Sequence, residues 1–265
     1  MVTEVKFGKG ITGYLAKPDA PGKRPVVINL HERYGIDKHT TDITERFAGQ
    51  GYVGFAPDMF SRFTGDRKAL LRGDERAEIA DDEAISDLDA AIAYLRSLDF
   101  VDSRKICIAG FCQTGRQSIL IGGSRSDLSS IIVLYGGVSD RDWQTHELRP
   151  QPISTYIERI YCPVLGIFGE ADQVISVDNA LQFQYHLSKV NKSYHIRMYR
   201  DMPHGWLNDT MPGRYRREGA EDAWQLLFSF LDQTFGDGWD RSRVLWRFDS
   251  NISTDYDFSK NVRHA

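Results

Sequence analysis

Apolar residues in this chain fall into short unbroken runs separated by longer amphipathic stretches, and the alternation of the two predicts the architecture. Residues 2–17 alternate loosely and break at Gly8, Gly10 and Gly13, as an antiparallel hairpin would. Turn formers at 18–22 lead into PVVINLHE, 25–32, a continuous apolar run of the kind a strand covered on both faces requires. A helical pattern over 37–50 stops at Gly51, and YVGFAPDMF, 52–60, is the next strand. Residues 61–77 are polar with basic patches and read as a loop over the sheet's edge. A helix is predicted over 78–98, where Ile85, Leu88, Ile92 and Leu95 share one face and acidic residues crowd the positive end of the helix dipole.

The same rhythm continues with a strand at 105–111, a helix over 113–121 and a buried strand, SSIIVLYGG, at 129–137. Residues 140–153 are turn-rich. Strand VLGIFG, 164–169, a helix over 177–190, a strand at 193–200 and a last helix over 218–235 complete the pattern. Alternation of this kind predicts an α/β fold, a mostly parallel sheet with helices on both faces, whose ligands bind beyond the strands' carboxyl ends. No Pro/Ser/Gly-rich linker divides residues 1–235, so one domain is expected. Residues 236–265 are aromatic and charged without clean periodicity. They are expected to pack on the domain or on the partner subunit of a homodimer.

Composition narrows the function classes. The 33 basic and 37 acidic residues are interspersed and leave a net charge of -4, which argues against a nucleic-acid or membrane-surface role. Three cysteines without metal-finger spacing favour a reducing compartment and no disulfide framework. No apolar run nears the roughly 18 residues that span a bilayer. The amino terminus lacks the apolar run of a secretory signal, so a cytoplasmic protein is expected. His31, His39, His146, His186, His195 and His264 show no mutual metal spacing, and no metal or cofactor is expected.

The chemistry concentrates in KICIAGFCQTG, 105–115. A strand, a tight turn between small residues and a helix start is the way a parallel sheet presents a nucleophile, here Cys112. A helix amino terminus also favours the thiolate. The plainer role, a small buried hydrophobe, suits Cys107 and Cys162 inside strand runs. Asp172, in FGEADQVIS, and His204, in DMPHGW, each follow a strand end; alone, the first could be a helix cap and the second a half-buried histidine. Together the order nucleophile, acid, histidine, separated by 60 (172 minus 112) and 32 (204 minus 172), is that of an α/β-hydrolase triad. His204 would move the proton and Asp172 would fix its tautomer.

GFCQTG, FGEADQ, MPHGW and the earlier LHERYG together resemble the dienelactone hydrolase family (carboxymethylenebutenolidases), over residues 1–235. The resemblance implies an α/β-hydrolase with a Cys, His, Asp triad that cleaves a small lactone or carboxylic ester through a thioester on Cys112. It also implies that Glu32 hydrogen-bonds the resting thiol and yields when substrate binds; from the residues alone, a carboxylate beside a thiol opposes its ionisation. The oxyanion would be held by the backbone N–H of Gln113, next after the nucleophile, and, by resemblance, that of Arg33.

Two positions depart from the family pattern. Thr114 stands where a glycine is usual, with Gly115 one further on. Asn208 stands where well-known members hold the substrate carboxylate with an arginine, and Arg33, Arg62, Arg72 and Arg76 are the candidates to replace it. Tyr34, Phe60, Phe63, Trp206 and Tyr215 lie near strand ends and could wall a pocket for a flat ring. A promiscuous carboxylesterase, thioesterase or phosphoester hydrolase on the same triad is the alternative reading, and a non-catalytic binding protein on this fold is a third.

Overall fold

In the computed structural model, which describes residues 1–240 and 242–253, nine strands form one sheet in the order β1-β2-β4-β3-β5-β6-β7-β8-β9. The hairpin β1 (Thr3–Phe7) and β2 (Ile11–Ala16) is antiparallel, and β2 runs antiparallel to β4 (Val53–Pro57). From β4 through β3 (Arg24–Leu30), β5 (Val101–Phe111), β6 (Ser130–Leu134), β7 (Val164–Gly169) and β8 (Tyr194–Tyr199) every pairing is parallel.

Alternate strand residues feed two separate cores, which is why these strands read as unbroken apolar runs. Val26, Ile28, Ile106, Ile108, Ile131 and Val133 face one layer, built with α3 (Asp81–Arg96), α4 (Gly115–Ser124) and α6 (Val177–Lys189). Val27, Cys107, Ala109, Ile132 and Leu165 face the other, against α1 (Lys38–Gly49) and α7 (Arg217–Phe235) through Phe47, Trp224 and Leu227. Asp37 caps α1, accepting the N–H of Thr40 at 2.8 Å. Arg116, buried in the first turn of α4, donates from Nε and Nη2 to Asp81 at 2.9 and 2.7 Å and so ties α4 to the start of α3.

The sequence reading and the structure differ at several edges. Inside the predicted loop 61–77 lies a short helix, α2 (Arg67–Arg72), capped by Asp66 and ended by Gly73 in the left-handed region. The helix predicted from residue 78 begins at Asp81, because Glu78 is drawn into ion pairs with Arg141 and Arg149. The turn-rich segment opens with a 3-10 turn over Asp140–Trp143, and a further short helix, α5 (Ile153–Ile157), starts at its end. In the tail, β9 (Trp246–Ser250) pairs in parallel with β8. Its side chains are mostly exposed, so no burial imposes an alternating pattern on them. Residues 254–265, part of the segment expected to pack on the domain or a partner, lie outside the described residues. Among the described residues no helix is long and apolar enough to cross a membrane.

Candidate active site

At the carboxyl end of β5 the chain turns in one residue. Cys112 has φ 54°, in the left-handed region, and is followed by a single 3-10 turn over Cys112–Thr114 and then by α4. Such a conformation in a non-glycine residue costs of order 1–3 kcal/mol and persists only where the surroundings enforce it. Here they do so through missing side chains: a Cβ on Gly136 would sit 1.7 Å from the Cys112 carbonyl oxygen, and one on Gly115 would sit 2.7 Å from the Gly136 carbonyl carbon. Thr114 does not obstruct the approach. Its buried hydroxyl accepts from Phe111 N at 3.1 Å and lies 2.8 Å from the His31 oxygen and 2.9 Å from the Phe111 oxygen, joining the ends of β3 and β5.

The loops after β7 and β8 bring two more groups to this turn. His204 Nε2 is 3.1 Å from Cys112 Sγ, and His204 Nδ1 is 2.9 Å from Asp172 Oδ2. The other carboxylate oxygen, Asp172 Oδ1, accepts from Val174 N at 2.7 Å and Ile175 N at 2.9 Å. Burial alone would lower the His204 pKa, but the Asp172 carboxylate and Cys112 outweigh it and hold the imidazole well above its ordinary range. An imidazole fixed between a thiol and a buried carboxylate can take the thiol proton and keep it.

Glu32, at the end of β3, is buried and takes two hydrogen bonds, from Tyr135 Oη to Oε1 and from Asn208 Nδ2 to Oε2, each at 3.0 Å. Its partners are these two side chains, while Cys112 bonds His204. Burial, together with the nearby Glu32, keeps the Tyr135 phenol well above the usual tyrosine range, so it stays a donor. Tyr135, with φ 37°, ends the apolar strand run just before Gly136 and Gly137; sequence reasoning passed it over, and its signal was a large polar-tipped residue closing a buried strand. His31 supports the same loop: its Nδ1 bonds the Glu32 carbonyl at 2.7 Å, and its Nε2 accepts Met59 N at 3.1 Å.

A cavity of about 180 Å³ opens over Cys112 and His204. Gln113, Arg33, Tyr34 and Arg76 line it, so four of the residues singled out from the sequence are brought to Cys112. Arg33 donates to the Gly73 carbonyl at 2.5 Å and stacks over Tyr34, 5.0 Å from its ring centroid. Arg62 and Arg72 are not brought there. Arg62 forks onto Asp87, Arg72 pairs with Asp74 at 2.8 Å, and neither lines the cavity. Asn208 lies behind Glu32, fully buried, and Trp206 is packed under Tyr135 and Tyr199. Phe60, Phe63 and Tyr215 also stay off the cavity wall. Arg141 and Arg149, which the sequence reading missed, form the far wall with Glu78, to which they donate at 2.7 and 3.1 Å. Among the described residues no cluster of three or more His, Cys, Asp and Glu side chains could hold a metal ion.

Comparison with known proteins agrees with this arrangement of strands and loops. The profile of the dienelactone hydrolase family matches residues 11–235. A Synechocystis protein named as a carboxymethylenebutenolidase is 33% identical over 224 residues, spanning 82% of this chain and 89% of its own. One from Yersinia pestis with the same name is 31% identical over 232 residues, 85% of each chain. A crystal structure from Klebsiella pneumoniae, named as a dienelactone hydrolase, superposes with a TM-score of 0.80 at 25% identity, covering 88% of this chain and 98% of that one. The chain belongs to the dienelactone hydrolase family and is an α/β-hydrolase of ester or lactone bonds.

Proposed function

We propose that the chain cleaves a small lactone or carboxylic ester through a thioester on Cys112. The observation that carries this reading is the His204 imidazole, 3.1 Å from the Cys112 sulfur on one side and 2.9 Å from the Asp172 carboxylate on the other. The thiol proton passes to His204 Nε2, and Asp172 stabilises the imidazolium. The thiolate then bonds the carbonyl carbon, and the displaced π pair gathers on oxygen, facing the backbone N–H groups of Gln113 and Arg33. Collapse breaks the C–O bond, the leaving alkoxide takes the proton from His204, and the acyl group stays on sulfur. Water, deprotonated by His204, attacks the thioester, and release of the carboxylic acid returns the thiolate.

Glu32 is proposed to tune this step from the side, since its carboxyl group stands near the site, held by Tyr135 and Asn208. Arg33 and Arg76 line the cavity, and neither has a carboxylate partner among the described residues, which favours an acyl substrate bearing an anionic group. Asn208 carries no weight for a neutral substrate, because its amide faces Glu32. The free thiols Cys107 and Cys112 suit a reducing compartment such as the cytoplasm.

The test has two arms. Cys112→Ala abolishes turnover of an activated aryl ester while the chain stays folded; an unimpaired rate refutes the nucleophile. On a carboxylate-bearing lactone, Arg76→Met raises KM about tenfold, the worth of one charge-assisted hydrogen bond, and leaves a neutral ester unaffected. Equal effects on both substrates, or a preference for a phosphate triester, refute the anionic ester reading.

A further inference from the structure

The tail lies outside the segment that matches the family, yet it reaches the two loops that carry Asp172 and His204. The link is Glu170. Its side chain is buried, 2% exposed, and among the described residues it has no ion-pair partner. Its carboxylate accepts from Asp201 N at 3.2 Å and Ser253 N at 2.6 Å, with Ser253 Oγ at 3.5 Å. A buried carboxylate left without its donors is costly, so the tail residue completes a site that the loops alone leave half-satisfied.

Each partner sits close to the chemistry in sequence and in space. Glu170 is two residues before Asp172. Asp201 is three before His204 and has φ 56°, a left-handed turn that its hydrogen bond to Glu170 helps to hold. The same two loops are pressed together: Ala171 N donates to the Met202 oxygen at 3.1 Å, and a Cβ on Gly169 would lie 2.2 Å from that oxygen. The tail adds two more ties to the end of β8. Arg200 N donates to Asn251 Oδ1 at 2.9 Å, and Asn251 N to the Met198 oxygen at 3.4 Å.

We propose that residues 246–253 form a strap that positions Asp172 and His204 for the reaction, acting through Glu170. This rests on the reading of those two residues as the acid and base of the site. Glu170 and Ser253 touch neither substrate nor sulfur; they are positioning residues, which set the distance between the carboxylate and the imidazole.

The experiment uses the full chain with Glu170→Gln, Ser253→Pro, which removes the donor N–H, their double variant, and Asn251→Ala as an independent handle. On an activated aryl ester, each of the first two lowers kcat about tenfold with KM within about twofold, the scale expected of a sub-ångström misplacement. The double variant falls no further, because both changes break one linkage. The titration of the His204 ring, followed by its nitrogen shifts in NMR, moves down toward the ordinary histidine value as the Asp172 contact loosens. Asn251→Ala shows the same changes to a smaller degree. Unchanged kcat and an unmoved His204 titration in all four, with Cys112→Ala inactive, overturn the strap and leave the site reading standing. Full activity in Cys112→Ala overturns the site reading and the strap with it.

Discussion

Replacing Asp172 by asparagine tests the geometry of the site more sharply than removing it. Asp172 Oδ1 already accepts two backbone N–H groups, from Val174 and Ile175, at 2.7 and 2.9 Å, and only Oδ2 faces His204. An asparagine must therefore keep its carbonyl oxygen toward those amides and turn its NH2 to His204 Nδ1. That nitrogen becomes an acceptor, the ring proton moves to Nε2, and the imidazole can no longer take the thiol proton from Cys112. Flipping the amide back would set its NH2 against two buried donors at about 1–3 kcal/mol each, so the wrong tautomer is favoured by roughly 2–6 kcal/mol. At 1.36 kcal/mol per decade this is a loss in kcat between about 30-fold and about 3 × 10⁴-fold. The assay is turnover of an activated aryl ester near pH 7, alongside iodoacetamide alkylation of Cys112 and a thermal melt to establish folding. Asp172→Ala dictates no tautomer and so loses less than Asp172→Asn. A fall of less than tenfold in the asparagine variant, or an asparagine variant more active than the alanine one, refutes the tautomer argument.

Other consequences follow from the same contacts. The His204 pKa is held above its unfolded value, despite burial, by Asp172 and Cys112; its contribution to stability is full below about pH 6.5 and is lost as pH rises through the folded value. The melting temperature of the parent should therefore fall more steeply between pH 6.5 and 9 than that of His204→Gln, and parallel slopes would contradict this. Gly136→Ala forces a Cβ onto the Cys112 carbonyl and should cost about 3 kcal/mol or more, read as loss of folded yield or of melting temperature. Asn208→Leu deprives the buried Glu32 of a donor at a cost of about 1.5–3 kcal/mol, or roughly 3–12 °C of melting temperature. Tyr135→Phe acts on the same carboxylate, so the double variant should be non-additive, and strict additivity would show that the two donors act independently.

What could be read from the sequence was what short-range physics decides. The central strands announce themselves because residues such as Val26, Val27 and Ile28 face alternate cores and leave no polar position between them. The turn at Cys112 is equally local: the glycines at 110 and 115 flank it, and each is pressed against backbone. Side-chain direction after a strand end is not local. His204 and Asn208 are four residues apart, but Gly205 turns the chain with φ 75° between them, so one side chain reaches Cys112 and the other reaches Glu32. The arginines divide in the same way. Gly73, left-handed with φ 81°, ends α2 between Arg72 and Arg76, leaving the first over Asp74 and carrying the second to the cavity.

The tail shows the limit from the other side. A hydrophobic pattern records burial, and β9 is an edge strand whose side chains mostly meet solvent, so its backbone pairing left no periodic trace. Ile252 packs on the core and Trp246 stacks on Tyr194, and the remaining ties are polar: Ser253 to Glu170 and Asn251 to the end of β8. Residues of this kind are common in loops and give no signal one at a time. Glu170 was nonetheless in plain view, as the first letter of EAD after a buried strand. A carboxylate there needs donors as much as Asp172 does, and Asp172 takes its own from the next turn, at Val174 and Ile175. Glu170 has no such local supply; it draws on Asp201 and Ser253, 31 and 83 residues away, so the loop that carries Asp172 is tied to chain far outside it.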